Sequence, residues 1–204
     1  MSVPEGEYFT ALLSKLDTTL PILSLSALTI IGCETDRLIL RELIPEDANG
    51  MFELDSDEEV HRYLGGNPVN SVNQSIADIE FIRKQYVENG IGRWAVIEKS
   101  TNNFIGWAGL KLITSEVNNH INYHDVGYRF IKKFWGKGYA TESAMTVIKY
   151  GFEQMNLKEI IGIADIENEG SINVLEKCGL KKLGKFDYNG RLHYWMKIET
   201  TKTS

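Results

Sequence analysis

Gly136 and Gly138 stand one residue apart inside Asp125-Val-Gly-Tyr-Arg-Phe-Ile-Lys-Lys-Phe-Trp-Gly-Lys-Gly-Tyr-Ala-Thr-Glu142, just ahead of a helical pattern. Glycine lets backbone N–H groups come within reach of a ligand. The first N–H groups of a helix have no partner inside it, and the helix dipole favours anions there. Together they suit a phosphate. The local charge agrees: no acidic residue falls between Val126 and Thr141, whereas Arg129, Lys132, Lys133 and Lys137 do, in a chain of net charge −6. Two phosphate motifs are excluded by spacing. There is no G-x-x-x-x-G-K-[ST], and Thr141 stands where a dinucleotide fingerprint needs its third glycine. A dinucleotide oxidoreductase is therefore a distant reading. A plain strand-to-helix turn that happens to use glycine remains the competing one.

Other reactive side chains carry less by themselves. Asn168 and Ser171 fall where a helix starts, and capping accounts for either. Cys33 and Cys178 are far apart and form no C-x-x-C pair, so neither a zinc site nor a disulfide framework is indicated. His120 and His124, four apart on a strand, would lie about 13 Å from each other, too far for one metal ion. They read as loop polarity, and His61 and His193 as surface or internally satisfied histidines. Trp94, Trp107, Trp135 and Trp195 read as core or cleft aromatics, with Trp107 the candidate for an acceptor pocket.

The elements that must position these residues follow from periodicity. Arg37–Glu42 alternates as a strand, and Pro45 opens a helix toward Leu54. Asp57–Leu64 reads as a short helix capped by Asp57, broken by Gly65, Gly66 and Pro68. Ser71 can cap a longer helix with Ile76, Ile79, Phe81, Ile82 and Val87 facing inward. Trp94–Glu98 and Phe104–Ile113 pair as a hairpin, Ile121–Ile131 is the next strand, and Gly138–Glu153 a helix. Glu159–Ala164 is a strand and Gly170–Lys177 a helix. Leu180–Asp187 and Leu192–Ile198 form a last hairpin turned by Asn189-Gly190. Residues 1–33 read as an extension, in which Tyr8, Leu12, Leu13 and Leu16 share one helix face and pack on the domain or a partner subunit. Residues 34–204 form one domain.

Several of these blocks resemble the GCN5-related (GNAT) acetyltransferases, in the branch with the ribosomal-protein N-terminal acetyltransferases. Lys133-x-x-Gly136-x-Gly138 is similar to the [QR]-x-x-G-x-[GA] pyrophosphate loop, with Lys in the Gln/Arg position. Asn168-x-x-Ser171-x-x-Val174-Leu175-Glu176-Lys177-Cys178-Gly179-Leu180 resembles a second family segment. Thr35–Arg41, Trp94-Ala-Val and Phe104–Leu110 fit the opening strand and middle hairpin. The resemblance spans roughly residues 34 to 199. It implies an α/β fold with a mixed, mostly antiparallel central sheet flanked by helices. It also implies acetyl-CoA as cosubstrate, no metal, and direct transfer to a primary amine on a small molecule or a protein N-terminus. The implied cofactor contacts are Phe130, Ile131, Lys133, Gly136, Lys137, Gly138, Tyr139, Ala140, Thr141, Asn168 and Ser171. Ser171 also matches a serine that protonates the leaving thiolate, and Leu175 stands where many relatives carry a tyrosine acid. Asp125 matches a strand carboxylate used as general base, and a burial-raised pKa would suit it. Asp187 is the runner-up. The missing tyrosine and the Lys133 departure keep open a catalytically inactive CoA-binding sensor or scaffold.

Composition bounds the rest. The chain has 204 residues, 43% hydrophobic and 25% charged, an ordinary globular balance that can bury a core. Its acidic balance argues against nucleic-acid binding. No run of 18 apolar residues predicts a membrane span. Leu20–Cys33 lacks the positive flank of a secretory signal. With two isolated thiols, the expected location is cytoplasmic. A homodimer is left open.

Overall fold

A computed structural model describes residues 31–200, so the helix face expected on Tyr8, Leu12, Leu13 and Leu16 lies outside the described residues. The chain begins with β1 (Ile31–Glu34) and β2 (Leu38–Arg41), then a 3-10 turn at Pro45–Asp47, α1 (Ala48–Asp55), α2 (Glu58–His61) and α3 (Val72–Asn89). The strands β3 (Arg93–Glu98), β4 (Asn103–Ile113) and β5 (Tyr123–Phe130) follow, and then α4 (Tyr139–Glu153). The chain closes with β6 (Glu159–Asp165), α5 (Glu169–Lys177), β7 (Lys181–Tyr188) and β8 (Arg191–Glu199). The eight strands form one sheet in the order β1-β2-β3-β4-β5-β6-β8-β7. Every neighbouring pair is antiparallel except β5–β6. The expected fold class is the one observed. β1 begins inside the segment read as an extension, where it pairs with β2.

The periodicities explain the layers. β3 is buried on both faces because helices cover both sides of the sheet's centre. On one side α4 lays Ala144, Val147 and Ile148 against the sheet, and Gly151 sits against Leu110 and Ile160. On the other side α1 and α3 pack together and Asp55 reaches β5. In α3 the buried line runs through Ser75 and Ile79 to Gln85, with Ile82 and Tyr86 packed on the core. The expected inward set was partly wrong: Phe81 and Val87 are 60% and 89% exposed, and Ile76 is at the surface. They stand beyond the i, i+3/i+4 stripe that starts at Val72 and passes through Ile79. Ser71 makes no side-chain cap; Gln74 Oε1 accepts from Asn70 N–H instead, at 2.8 Å. Asp57 does cap α2, accepting from Glu59 N–H.

Among the described residues no helix is long and apolar enough to cross a membrane.

Candidate active site

β5 and β6 pair at one position, Asp125 with Ile161, and then part. The Ile131 N–H donates to the Ile105 carbonyl at 3.0 Å, which puts the odd-numbered residues of β5 in hydrogen-bonded register with β4. The alternation of an antiparallel ladder therefore turns the main-chain groups of Val126, Tyr128 and Phe130 toward β6. Past Asp125 no strand meets them there. The sheet is split, and the split is a cleft walled by β5 on one side and by Ala164, Asn168, Ser171 and Leu175 on the other.

The glycine turn lies at one end of this cleft. Gly136 and Gly138 have φ of 72° and 83°, a region where a side chain is strained. A Cβ on Gly136 would meet nothing within 4 Å. α4 starts immediately after, and its ladder begins with the Glu142 N–H donating to Gly138. Among the described residues, none of the backbone N–H groups from Gly136 through Thr141 donates to a protein acceptor. Such a run on exposed glycine backbone is a nest for an anion. The Tyr139 ring is structural: its hydroxyl donates to Glu98, and the Arg37 guanidinium lies 4.5 Å from its centroid.

The basic cluster divides. Arg129 pairs with buried Asp55, Lys133 with Glu53 at 2.6 Å, and Lys132 approaches Glu59 at 4.0 Å. Lys133, expected as a cofactor contact, is thus engaged on the α1 side. Among the described residues neither Lys137 nor, from α5, Lys177 has a carboxylate within 4 Å, and Lys177 lines the cleft. Ile131 is also corrected. Its N–H goes to Ile105 at 3.0 Å and is not free for a ligand, and its carbonyl accepts from Phe134 N–H at 2.9 Å. Phe130 keeps its N–H toward the cleft, while its carbonyl accepts from Trp135 Nε1 at 2.7 Å.

Asn168 is the helix cap that its position suggested, Oδ1 accepting from Ser171 N–H at 3.0 Å. Ser171 follows in the first turn of α5. Its carbonyl accepts from the Tyr128 hydroxyl at 2.9 Å, and its Oγ lies 3.1 Å from the same oxygen. Tyr128 is held protonated by burial, which pushes its pKa up. Nothing in the sequence marked this tyrosine beyond its strand propensity.

Asp125 faces the opposite side of β5 from Tyr128, since side chains alternate. Its carboxylate pairs with Arg93, which crosses from β3 and also donates to the carbonyls of Gly109 and Asp125. Gly127 makes this crossing possible: a Cβ there would lie 2.6 Å from Arg93 Nη2. Burial raises the Asp125 pKa, and Arg93 and Lys111 oppose that rise. Arg93 was missed, although glycine in the interior of two neighbouring strands, Gly109 and Gly127, was a signal of close approach. Trp107, the candidate for an acceptor pocket, lines the cleft, its ring 5.5 Å from the Arg93 guanidinium and 5.1 Å from that of Arg129.

Asp187 leaves the site. It is exposed on edge strand β7, and Oδ1 accepts from Gly190 N–H in the hairpin turn at 3.0 Å. Asp165 does line the cleft, bound to Arg191 at 2.6 Å. His193 lines it too and is satisfied by the Arg191 carbonyl, whereas His61, against expectation, is buried with no hydrogen bond at either ring nitrogen, its Nε2 3.7 Å from Asp55 Oδ1. Burial and Arg129 lower its pKa, against the pull of Asp55. His120 stacks on Trp195 at 4.7 Å. Among the described residues no group of three or more potential ligands could hold a metal ion.

Residues 37–181 match the acetyltransferase (GNAT) domain family. YoaA of Bacillus subtilis, described as an uncharacterized N-acetyltransferase, is 33% identical over 74% of this chain and 83% of its own length. YdaF of the same organism, a putative ribosomal N-acetyltransferase, is 27% identical over 74% of this chain and 81% of its own. The GNAT-family acetyltransferase of Bacillus anthracis superposes with a TM-score of 0.69 at 25% identity, over 81% of this chain and 96% of that one.

Proposed function

The chain belongs to the GNAT acetyltransferases and is an acetyl-CoA-dependent N-acetyltransferase. From that premise we propose that it acetylates a primary amine, on a small molecule or a protein N-terminus, by direct attack in a ternary complex. The observation that carries the reading is the split between β5 and β6, with a run of unpartnered N–H groups at one end and a buried carboxylate at the other.

The residues fit a diphosphate on an amide-bearing arm. Gly136 through Thr141 offer successive N–H donors, and Lys137 and Lys177 add charge beside them. Asn168 borders the same entrance. The Tyr128 and Phe130 backbone edges face the split, where an amide chain can pair with them as a strand would. The Phe130 N–H is the donor toward the thioester carbonyl, where negative charge develops as the amine attacks. The cosubstrate supplies an acetyl group already activated as a thioester.

The amine arrives on the Asp125 face. Its excess proton goes to the Asp125 carboxylate, directly or through one water, because burial raises that group's proton affinity while Arg93 keeps it ionised enough to accept. Ser171 lies across the split on the leaving-group side. A covalent acetyl-enzyme is not part of the scheme: burial pushes the Cys178 thiol up to about 11, and its Sγ lies against the Thr141 carbonyl at 3.9 Å.

Acetyl-CoA and CoA should each raise the melting temperature. A hundredfold excess over Kd corresponds to about 2.7 kcal/mol, several degrees for a domain of this size. Gly138→Val, at a φ that a branched side chain rarely adopts, should abolish the shift while leaving a cooperative melt. Differential scanning fluorimetry checks both, and no shift for the wild type at millimolar acetyl-CoA sinks the reading.

A further inference from the structure

A thiolate leaving through this cleft passes apolar walls. Phe130 and Leu175 are buried on either side, and Leu175 carries no donor. As the amine nitrogen bonds to the acetyl carbon, the C–S bond breaks and its electron pair stays on sulfur. A charge gathering in such surroundings needs a hydrogen bond. Between the level of Asp125 and the glycine turn, the two hydroxyls that meet across the split are those of Tyr128 and Ser171.

We propose that Tyr128 is a positioning residue for thiol departure, holding Ser171 so that the serine hydroxyl donates to the sulfur. This rests on the acetyl-transfer reading above. A carbonyl can only accept, so in the resting site the Tyr128 O–H donates to the Ser171 carbonyl. That leaves the Tyr128 oxygen as an acceptor for the Ser171 proton, 3.1 Å away. An anionic sulfur is the stronger acceptor, and the serine O–H turns to it. The Tyr128 proton, within reach of both serine oxygens, then donates to Oγ and strengthens the serine as a donor. Neither hydroxyl loses its proton. The amine proton goes to Asp125, and the thiolate is carried as a hydrogen-bonded anion until water protonates it on release.

The test needs no acceptor amine. CoA itself is bound to the enzyme and its thiol titrated by the ultraviolet absorbance of the thiolate, with the desulfo-CoA complex as blank. Cys33 and Cys178 ionise only near 11 and do not interfere. In the wild type the bound thiol should ionise below free CoA. Tyr128→Phe and Ser171→Ala should each raise its pKa by about one unit, the weight of one hydrogen bond to a charge. In the Ser171→Ala background Tyr128→Phe should add nothing, since it acts through Ser171. CoA affinity measured at acid pH, where the thiol is neutral, should stay within a few-fold in all variants. A brace that merely ties α5 to β5 would lower the melting temperature and the affinity without moving the thiol pKa. An unmoved pKa in either single variant, or a shift by Tyr128→Phe that persists without Ser171, overturns the proposal. Should Tyr128→Phe fail to fold, Tyr128→Leu takes its place in the same comparison, and an unmoved pKa in Ser171→Ala overturns the proposal by itself. If wild-type enzyme binds no CoA, the acetyl-transfer reading falls and takes this one with it.

Discussion

Asp125→Asn lowers turnover by roughly 10²–10⁴-fold, the usual effect of losing a general base, and leaves the acetyl-CoA thermal shift intact. The separation is expected because Asp125 stands near the start of β5, where that strand still pairs with β6, whereas the N–H run lies beyond its far end. The pH profile supplies the sign. Burial raises the Asp125 pKa, so wild-type activity should fall as pH drops through that value and the carboxylate takes up a proton. The amide cannot titrate, so the variant should lose this limb and regain part of its rate at high pH, where the amine is already deprotonated. Thiol release against a panel of peptides and small amines measures both. Near-normal turnover at neutral pH would remove Asp125 from the mechanism, and with Asp187 committed to its turn, water would remain as the acceptor of the proton.

What was legible in the chain follows how local each interaction is. The glycine turn could be read because Gly136, Gly138 and the helix start lie within a few residues, and backbone conformation there depends on little else. The strands around it followed from alternation, and the last hairpin from the Asn189-Gly190 turn. The lysines show the limit: their count was visible, but Lys133 is drawn to Glu53, eighty positions earlier in the chain. Arg93 and Tyr128 were invisible for the same reason. Arg93 reaches Asp125 only because two glycines on successive strands fall in register with it, and Tyr128 reaches Ser171 only because β6 turns away. Periodicity also placed Phe81 and Val87 inward when they lie off the stripe, since an amphipathic pattern does not say where its edge falls.

Arg93→Met should cost about 3–5 kcal/mol, the range for leaving one member of a buried ion pair alone. The side chains of Arg93 and Asp125 are only 11% and 16% exposed, so water screens the remaining charge poorly. The Gly109 and Asp125 carbonyls lose a donor as well. The loss should depend on pH with a definite sign. Asp125 already binds its proton more tightly in the folded than in the unfolded chain, so its contribution to stability falls as pH rises through the window above the unfolded value near 3.8. Removing Arg93 takes away the main influence that held this rise in check. The variant's window should therefore extend upward, with a deficit smallest in acid, where Asp125 is protonated in both states, and growing toward neutral pH. Urea unfolding at several pH values measures it. Adding Asp125→Asn to Arg93→Met should recover a large part of the neutral-pH loss, because no charge is then left buried. An equal deficit at acid and neutral pH, without recovery in the double variant, would show that Arg93 supports the sheet through packing and carbonyl contacts rather than through Asp125.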